Sequence, residues 1–230
     1  PPDVKGYARF AQAAYKNVSF LDGYSLDADL STDQFKIYTQ GSSVIFAIRG
    51  SSTEAMVNDF VINDGYGILL GNEHRQLRQA RSKFAQIQAK YPNSSKIVTG
   101  HSLGAATSAV ISYENQIPGY CYNPGSSPFG DILDSAFASP NVKVAVVQGD
   151  LVSAAAIDHS RNLFVLDGTG TPLGRHGVDN FVTENVESDH EPTPPSSSNY
   201  RFHDIAINEG SLFGGGFHSR YTPGTGELIR

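Results

Sequence analysis

Cysteine is almost missing from this chain: Cys121 is the single one among 230 residues. An intrachain disulfide is therefore impossible, and zinc or iron–sulfur sites built on cysteine are excluded. Positive charge is also scarce, with 17 Lys and Arg against 23 Asp and Glu, a formal charge of −6. No basic cluster of five or more occurs, which argues against nucleic acid as a partner. Apolar runs are short. The longest stretches, such as 142–147 (broken by Lys143) and 44–48, are strand-sized and fall well below the ~20 residues that span a bilayer. The chain opens Pro1-Pro2-Asp3 with neither Met nor signal peptide, so it reads as a processed or cut fragment whose targeting is not legible. Against these absences stands 39% hydrophobic content, enough for a true core and incompatible with a wholly disordered chain. The length suits one large domain, or one domain with an appendage.

Periodicity then orders the chain. Val4, Tyr7, Ala8, Ala11, Ala14 and Tyr15 recur at three and four, predicting an amphipathic helix over 4–16. The segments 35–39 and 43–48 are apolar and β-branched, split by Gly41, and predict a tight hairpin. A helix is expected over 72–91, where Leu77, Ala80, Phe84, Ile87 and Tyr91 form one stripe, Asn72 can cap and Pro92 stops it. A short buried strand at 96–99, a small-residue helix at 103–114 and strands at 120–122, 142–147 and 163–166 follow. This alternation predicts an α/β layer fold with a mostly parallel sheet flanked by helices. Composition changes at 187–199 (ESDHEPTPPSSSN), a Pro/Ser stretch that reads as a linker after a 1–186 domain. The tail 200–230 is too small to bury a core alone and is expected to pack on the main body or on a protein partner.

The chemistry gathers at Gly100-His101-Ser102-Leu103-Gly104. A strand precedes it and a helix follows, the setting of a nucleophile elbow, in which a sharp turn lifts a serine hydroxyl above the sheet edge. The helix N-terminus beneath offers N–H groups and a favourable dipole to a developing oxyanion. Chance alone produces G-x-S-x-G in about one such chain in four, so the strand–turn–helix setting carries the reading. The alternative is a serine that merely caps a helix. A serine nucleophile needs a base and an orienting acid, in the chain order Ser, Asp or Glu, His for this layer type. Of the downstream acids Glu114, Asp131, Asp134 and Asp150, the last is best placed, because it follows the strand 142–147 by a Gly149 turn, at a strand C-terminal end. An ordinary turn aspartate is the competing reading. His101, inside the elbow, reads as a packed neighbour and not as the base.

Several segments in order resemble the class 3 (fungal-type) lipase family of α/β-hydrolases over the first 185 residues or so. They are the helix ending Ala-Ala-Tyr-Lys (13–16), the strand running into Arg49-Gly50-Ser51-Ser52, Asn58-Asp59-Phe60, Tyr91-Pro92, the run 97–106 (IVTGHSLGAA), Asn123-Pro124-Gly125 and Gln148-Gly149-Asp150. The resemblance implies an α/β-hydrolase fold with Ser102 as nucleophile and Asp150 as acid. It also implies an oxyanion hole from the backbone N–H groups of Ser51 and Leu103, and a lid between Ser52 and Tyr66. In that lid segment Met56, Val57, Phe60 and Val61 share one helical face, as in an interfacial flap or in any small helix packed on a core. The chain departs from the secreted fungal members, which are disulfide-bonded, and it has no tryptophan where the family often has Asp-Trp. Residues 187–230 match nothing in the family.

The base is the most open assignment. His74 and His101 precede the nucleophile. His159 lies too close after Asp150 to double back to its carboxylate, and His190 sits in the Pro/Ser stretch, a poor place to hold an imidazole. His203 has a separation from Asp150 like that of secreted fungal members, but needs the linker and tail to fold back over the site. His176 follows one strand and one loop, and His176-Gly177-Val178-Asp179-Asn180-Phe181 resembles a segment of shorter, non-fungal relatives. The expected triad is therefore Ser102, Asp150 and His176, with His203 as the alternative base. The implied activity is a serine esterase or lipase acting on carboxylic esters of lipids, acylglycerol or phospholipid, with no metal or organic cofactor. A thioesterase, acyltransferase or phospholipase A1 on the same machinery, or a binding and assembly module on the same fold, are the competing functions.

Overall fold

The computed structural model describes residues 4–51, 67–125, 131–150, 152–153, 159–168 and 170–189, and residues 206–208 as a strand. For 67–74, 172–173 and 206–208 it describes the backbone alone. Helix α1 (Val4–Ala13) is followed by β1 (Phe20–Leu21), β2 (Tyr24–Leu26), β3 (Phe35–Gln40), β4 (Ser43–Ile48) and the long helix α2 (Gly67–Lys90). Then come β5 (Ser95–His101), α3 (Leu103–Asn115), β6 (Gly119–Tyr122), α4 (Asp131–Phe137), β7 (Val142–Val147) and β8 (Leu163–Leu166). The short helix α5 (Pro172–His176), a 3₁₀ turn (Val178–Phe181) and β9 (Ala206–Asn208) complete the described elements.

The described strands form one sheet whose spatial order equals their sequence order. β1 to β4 meander antiparallel, β4 to β8 run parallel, and β9 returns antiparallel to β8. Each parallel step from β4 to β7 moves one strand in the same direction. Right-handed crossovers must then put α2, α3 and α4 on one face of the sheet, and their apolar stripes share one core there, including Leu77, Phe84, Val110 and Phe137. The other face is covered by α1 and the 178–186 segment, through Tyr7, Phe10, Phe181 and Val186. Alternation in β4 shows the division: Val44, Phe46 and Ile48 enter the first core, Ile45 and Ala47 the second. Burial on both faces is why this strand reads as a continuous apolar run instead of an alternating one. The arrangement is the expected α/β-hydrolase architecture.

Differences from the sequence expectations are local. Helix α2 begins at Gly67, so Asn72 lies inside it and does not cap it; the stretch 67–71 holds no proline to stop the helix sooner. The hairpin β1–β2 turns on Asp22 and Gly23, both at positive φ (50° and 86°), the conformation that suits an Asp-Gly pair in a two-residue turn. Neither this hairpin nor the short α4 stands out in the sequence pattern. The expected lid residues Met56, Val57, Phe60 and Val61 lie outside the described residues, as do 190–205 and 209–230, which hold most of the expected linker and tail. Among the described residues no helix is long and apolar enough to cross a membrane.

Candidate active site

The elbow is built by close approach. A Cβ at Gly100 would sit 2.4 Å from the Gly104 carbonyl oxygen and 2.8 Å from Ser108 Oγ. A Cβ at Gly104 would sit 2.2 Å from the Ile48 carbonyl oxygen of β4. Backbone cannot yield to such contacts, so both positions must lack a side chain for α3 to lie against the sheet. Between them Ser102 takes φ 57°, ψ −125°, a region that costs a non-glycine residue roughly 1–3 kcal/mol and tends to be kept where function needs it. The strain aims the hydroxyl away from the helix: Ser102 makes no side-chain cap bond to α3, and its Oγ stands 2.9 Å from His176 Nε2. A serine that merely capped the helix would do the reverse.

His176 ends α5, which starts on Thr171, whose Oγ1 accepts from the Gly174 N–H. Its Nδ1 lies 2.8 Å from Asp150 Oδ2, in a buried pair. A carboxylate oxygen only accepts, so Nδ1 carries the proton and Nε2 is left to accept from the serine hydroxyl. Asp150 is fixed in turn: Ser153 Oγ donates to Oδ2 and the Val152 N–H to Oδ1. The structure thus brings Ser102, His176 and Asp150 into one hydrogen-bonded chain from the C-terminal ends of β5 and β7 and the segment after β8. His159 is exposed and faces Asp134 at 3.7 Å, away from this chain. His190, His203 and His218 lie outside the described residues.

Three side chains that composition and spacing did not assign hold His176 in place. Asn123, fully buried at φ 40°, accepts the Val147 N–H on Oδ1 at 2.9 Å and donates from Nδ2 to the Arg175 carbonyl at 2.8 Å. It thereby ties the strand leading to Asp150 to the residue before His176. Asn180 Nδ2 reaches the carbonyls of Gly174 and Gly177, both at 2.8 Å, closing the short helix on itself. Phe181 packs on Tyr122, ring centroids 5.1 Å apart. Asn180 and Phe181 were visible in the sequence as part of the His176 segment, and Asn123 as part of Asn-Pro-Gly, but nothing local announced their bonds.

Ser51 and Leu103 stand together at the mouth. Gly50 packs so tightly against the elbow that a Cβ there would lie 2.5 Å from the His101 carbonyl oxygen and 3.1 Å from Ser102 Cβ. The Arg49 carbonyl accepts the side-chain amides of both Gln34 (2.7 Å) and Gln76 (2.6 Å), which anchors the loop leading to Ser51. Beside it opens a cavity of about 280 Å³, lined by Gln34, Ser51, Arg75, Gln76, Gln79 and Leu103. Among the described residues no group of three or more His, Cys, Asp or Glu is arranged to hold a metal ion.

Residues 74–119 match the model of the family Lipase (class 3). No curated protein sequence matches the chain. Among solved structures it is similar to lipase II from Rhizopus niveus, with TM-score 0.52 and 15% identity over 72% of this chain and 80% of that one. A fungal lipase gives TM-score 0.52 and 16% identity over 73% and 80%. A mutant form of MDLA from Penicillium cyclopium gives 0.50 and 17% over 73% and 80%. At such identities the likeness is one of fold. The chain is similar to the class 3 lipases in sequence across the elbow and in architecture over most of its length.

Proposed function

We propose that this chain, an α/β-hydrolase similar to the class 3 lipases, hydrolyses carboxylic esters of lipids through an acyl-enzyme on Ser102. The observation that carries the reading is the unbroken chain from Asp150 through His176 to the Ser102 hydroxyl, at 2.8 and 2.9 Å. Ser102 Oγ attacks the ester carbonyl carbon while His176 Nε2 takes its proton, and Asp150 holds the tautomer and stabilises the imidazolium. The carbonyl oxygen becomes an anion received by the N–H groups of Ser51 and Leu103, each such donor worth roughly 3–4 kcal/mol. Collapse expels the alcohol, which takes the proton from His176. Water, deprotonated by the same imidazole, then attacks the acyl-enzyme and frees the acid and Ser102.

A phospholipid substrate is the second reading. It rests on Arg75, a cationic side chain in the wall beside Ser51 and Leu103, where a phosphorylated alcohol would find a partner. The test is labelling by a fluorophosphonate probe, followed by turnover of neutral and phosphorylated esters of rising acyl length. Wild type is expected to label and to turn over esters, and Ser102→Ala to do neither, with a kcat loss of roughly 10⁴–10⁶-fold. An alanine variant that kept a tenth of the wild-type rate would overturn the assignment.

A further inference from the structure

His101 is buried at the heart of the elbow, and the proposed reaction does not use it. Its Nε2 lies 2.6 Å from the carbonyl oxygen of His176, and its Nδ1 2.9 Å from Tyr15 Oη. The same Tyr15 oxygen accepts the Gly50 N–H at 3.0 Å. The direction of every proton follows. A carbonyl only accepts, so Nε2 carries a hydrogen. Burial, aided by the neighbouring His176 ring, holds His101 far below the ordinary histidine range, at about 3; the ring is neutral and Nδ1 is bare. Tyr15, whose hydroxyl burial pushes well above its usual value, must donate to Nδ1 while its lone pair takes the Gly50 N–H. The chain reads Gly50 N–H to Tyr15 O–H to His101 Nδ1, then His101 Nε2–H to the His176 carbonyl.

We propose that His101 is a positioning residue that, through Tyr15, sets the oxyanion loop and the catalytic base from one side chain. At one end of the chain is the residue before Ser51, at the other the backbone of His176. The two halves of the site come from different elements: Ser51 follows β4, and His176 closes α5. Nothing covalent near the site joins them. A rigid, uncharged relay between them keeps the oxyanion donor and the proton acceptor in register as the tetrahedral centre forms, which is where small misplacements are most costly. Neutrality matters as well. The His101 and His176 rings are 4.9 Å apart, so a charged His101 would oppose the imidazolium that forms on His176.

This inference rests on the hydrolase reading, but its wiring can be tested without any substrate. Histidine ¹⁵N spectra of the wild-type protein should show one ring held as the neutral Nε2–H tautomer from about pH 5 to pH 9. That resonance should disappear in His101→Leu and shift in Tyr15→Phe. A His101 ring (the one whose resonance His101→Leu removes) held as the Nδ1–H tautomer, or titrating in that interval, overturns the relay whatever the activity. On a short soluble ester, Tyr15→Phe and His101→Leu should each lower kcat by about tenfold to a hundredfold with KM changed less than about threefold. The double variant should be no slower than the slower single, because both cut one chain. His101→Gln, which keeps an N–H donor toward the His176 carbonyl, should recover most of the loss. Additive losses, a loss confined to KM, or a glutamine variant as slow as the leucine one would each refute the positioning role. Wild type inert on every ester but carrying the expected tautomer would sink the proposed function and leave the wiring standing.

Discussion

Asn123→Ala puts the support of the site under direct load. The side chain is fully buried and makes two bonds, from the Val147 N–H to Oδ1 and from Nδ2 to the Arg175 carbonyl. Alanine leaves the Val147 N–H without that acceptor inside the sheet, at a cost of about 1–3 kcal/mol. The Arg175 carbonyl suffers less, because Asn180 Nδ2 still reaches it at 3.2 Å. Asn123 also sits at φ 40°, where asparagine is tolerated better than alanine by about 1 kcal/mol. The expected destabilisation is therefore about 2–4 kcal/mol, a sizeable part of the ~5–15 kcal/mol that holds a domain folded. The two bonds flank Asp150 and His176, so kcat should also fall by about tenfold to a hundredfold even where the protein is fully folded. Urea unfolding should show a lower midpoint at unchanged slope, and initial rates on a soluble ester well below that midpoint give the catalytic part. Asn123→Asp keeps the acceptor for Val147 but faces the Arg175 carbonyl with an acceptor, so it should be no better than alanine at neutral pH. A loss under about 0.5 kcal/mol with full kcat would refute the view that Asn123 couples acid and base.

Asp150→Asn keeps the shape of the carboxylate but can offer an N–H to Nδ1, which strands the proton on Nε2; kcat should drop by about 10⁴-fold with the fold intact by circular dichroism, and a drop under tenfold would remove Asp150 from its role. Ser102→Gly should abolish turnover yet raise the melting temperature, because glycine relieves a strain of roughly 1–3 kcal/mol at φ 57°; an unchanged or lower melting temperature would mean that little strain is stored there. His101, held at about 3 when folded, has an ordinary value of about 6.5 when unfolded. The unfolded chain then binds a proton that the folded one refuses, so stability is whole above about pH 6.5 and falls as pH drops toward 3, by up to ~1.4 kcal/mol per unit. The stability difference between wild type and His101→Leu should narrow with the same slope, and parallel pH curves would contradict it.

The elements with one strong period were legible: α1, the stripe of α2, the β3–β4 hairpin and the short parallel strands all lie where their apolar patterns put them. The elbow was legible because its glycines are imposed by backbone contacts at Ile48 and Gly104 that no other residue survives. The β1–β2 hairpin was missed although Asp22-Gly23 is a recognisable turn pair, since its strands are too short to show alternation. Helix α4 is only seven residues long, and its apolar stripe is correspondingly brief. For the site, spacing and family resemblance were enough to bring Ser102, Asp150 and His176 forward. The supporting bonds of Tyr15, Asn123 and His101 were not legible, because each joins residues far apart in the chain by polar contacts that leave no periodic trace.

The second core has an unusual schedule of completion. One of its covers, α1, precedes the whole sheet in sequence, while the other, 178–186, follows the whole parallel part. The two are stitched to each other: Gln12 Nε2 donates to Asp179 and Asn185, the Val186 N–H returns to Gln12 Oε1, and Arg9 reaches the Glu184 carbonyl. These contacts span more than 160 residues of sequence, the kind of closure that is slow to form and late to reward. Until it forms, the sheet face bearing Tyr24, Tyr38, Ile45 and Tyr122 is only half roofed. A chain cut before residue 178 would therefore leave that aromatic face half uncovered, the kind of exposed apolar surface that makes partly folded chains prone to aggregate.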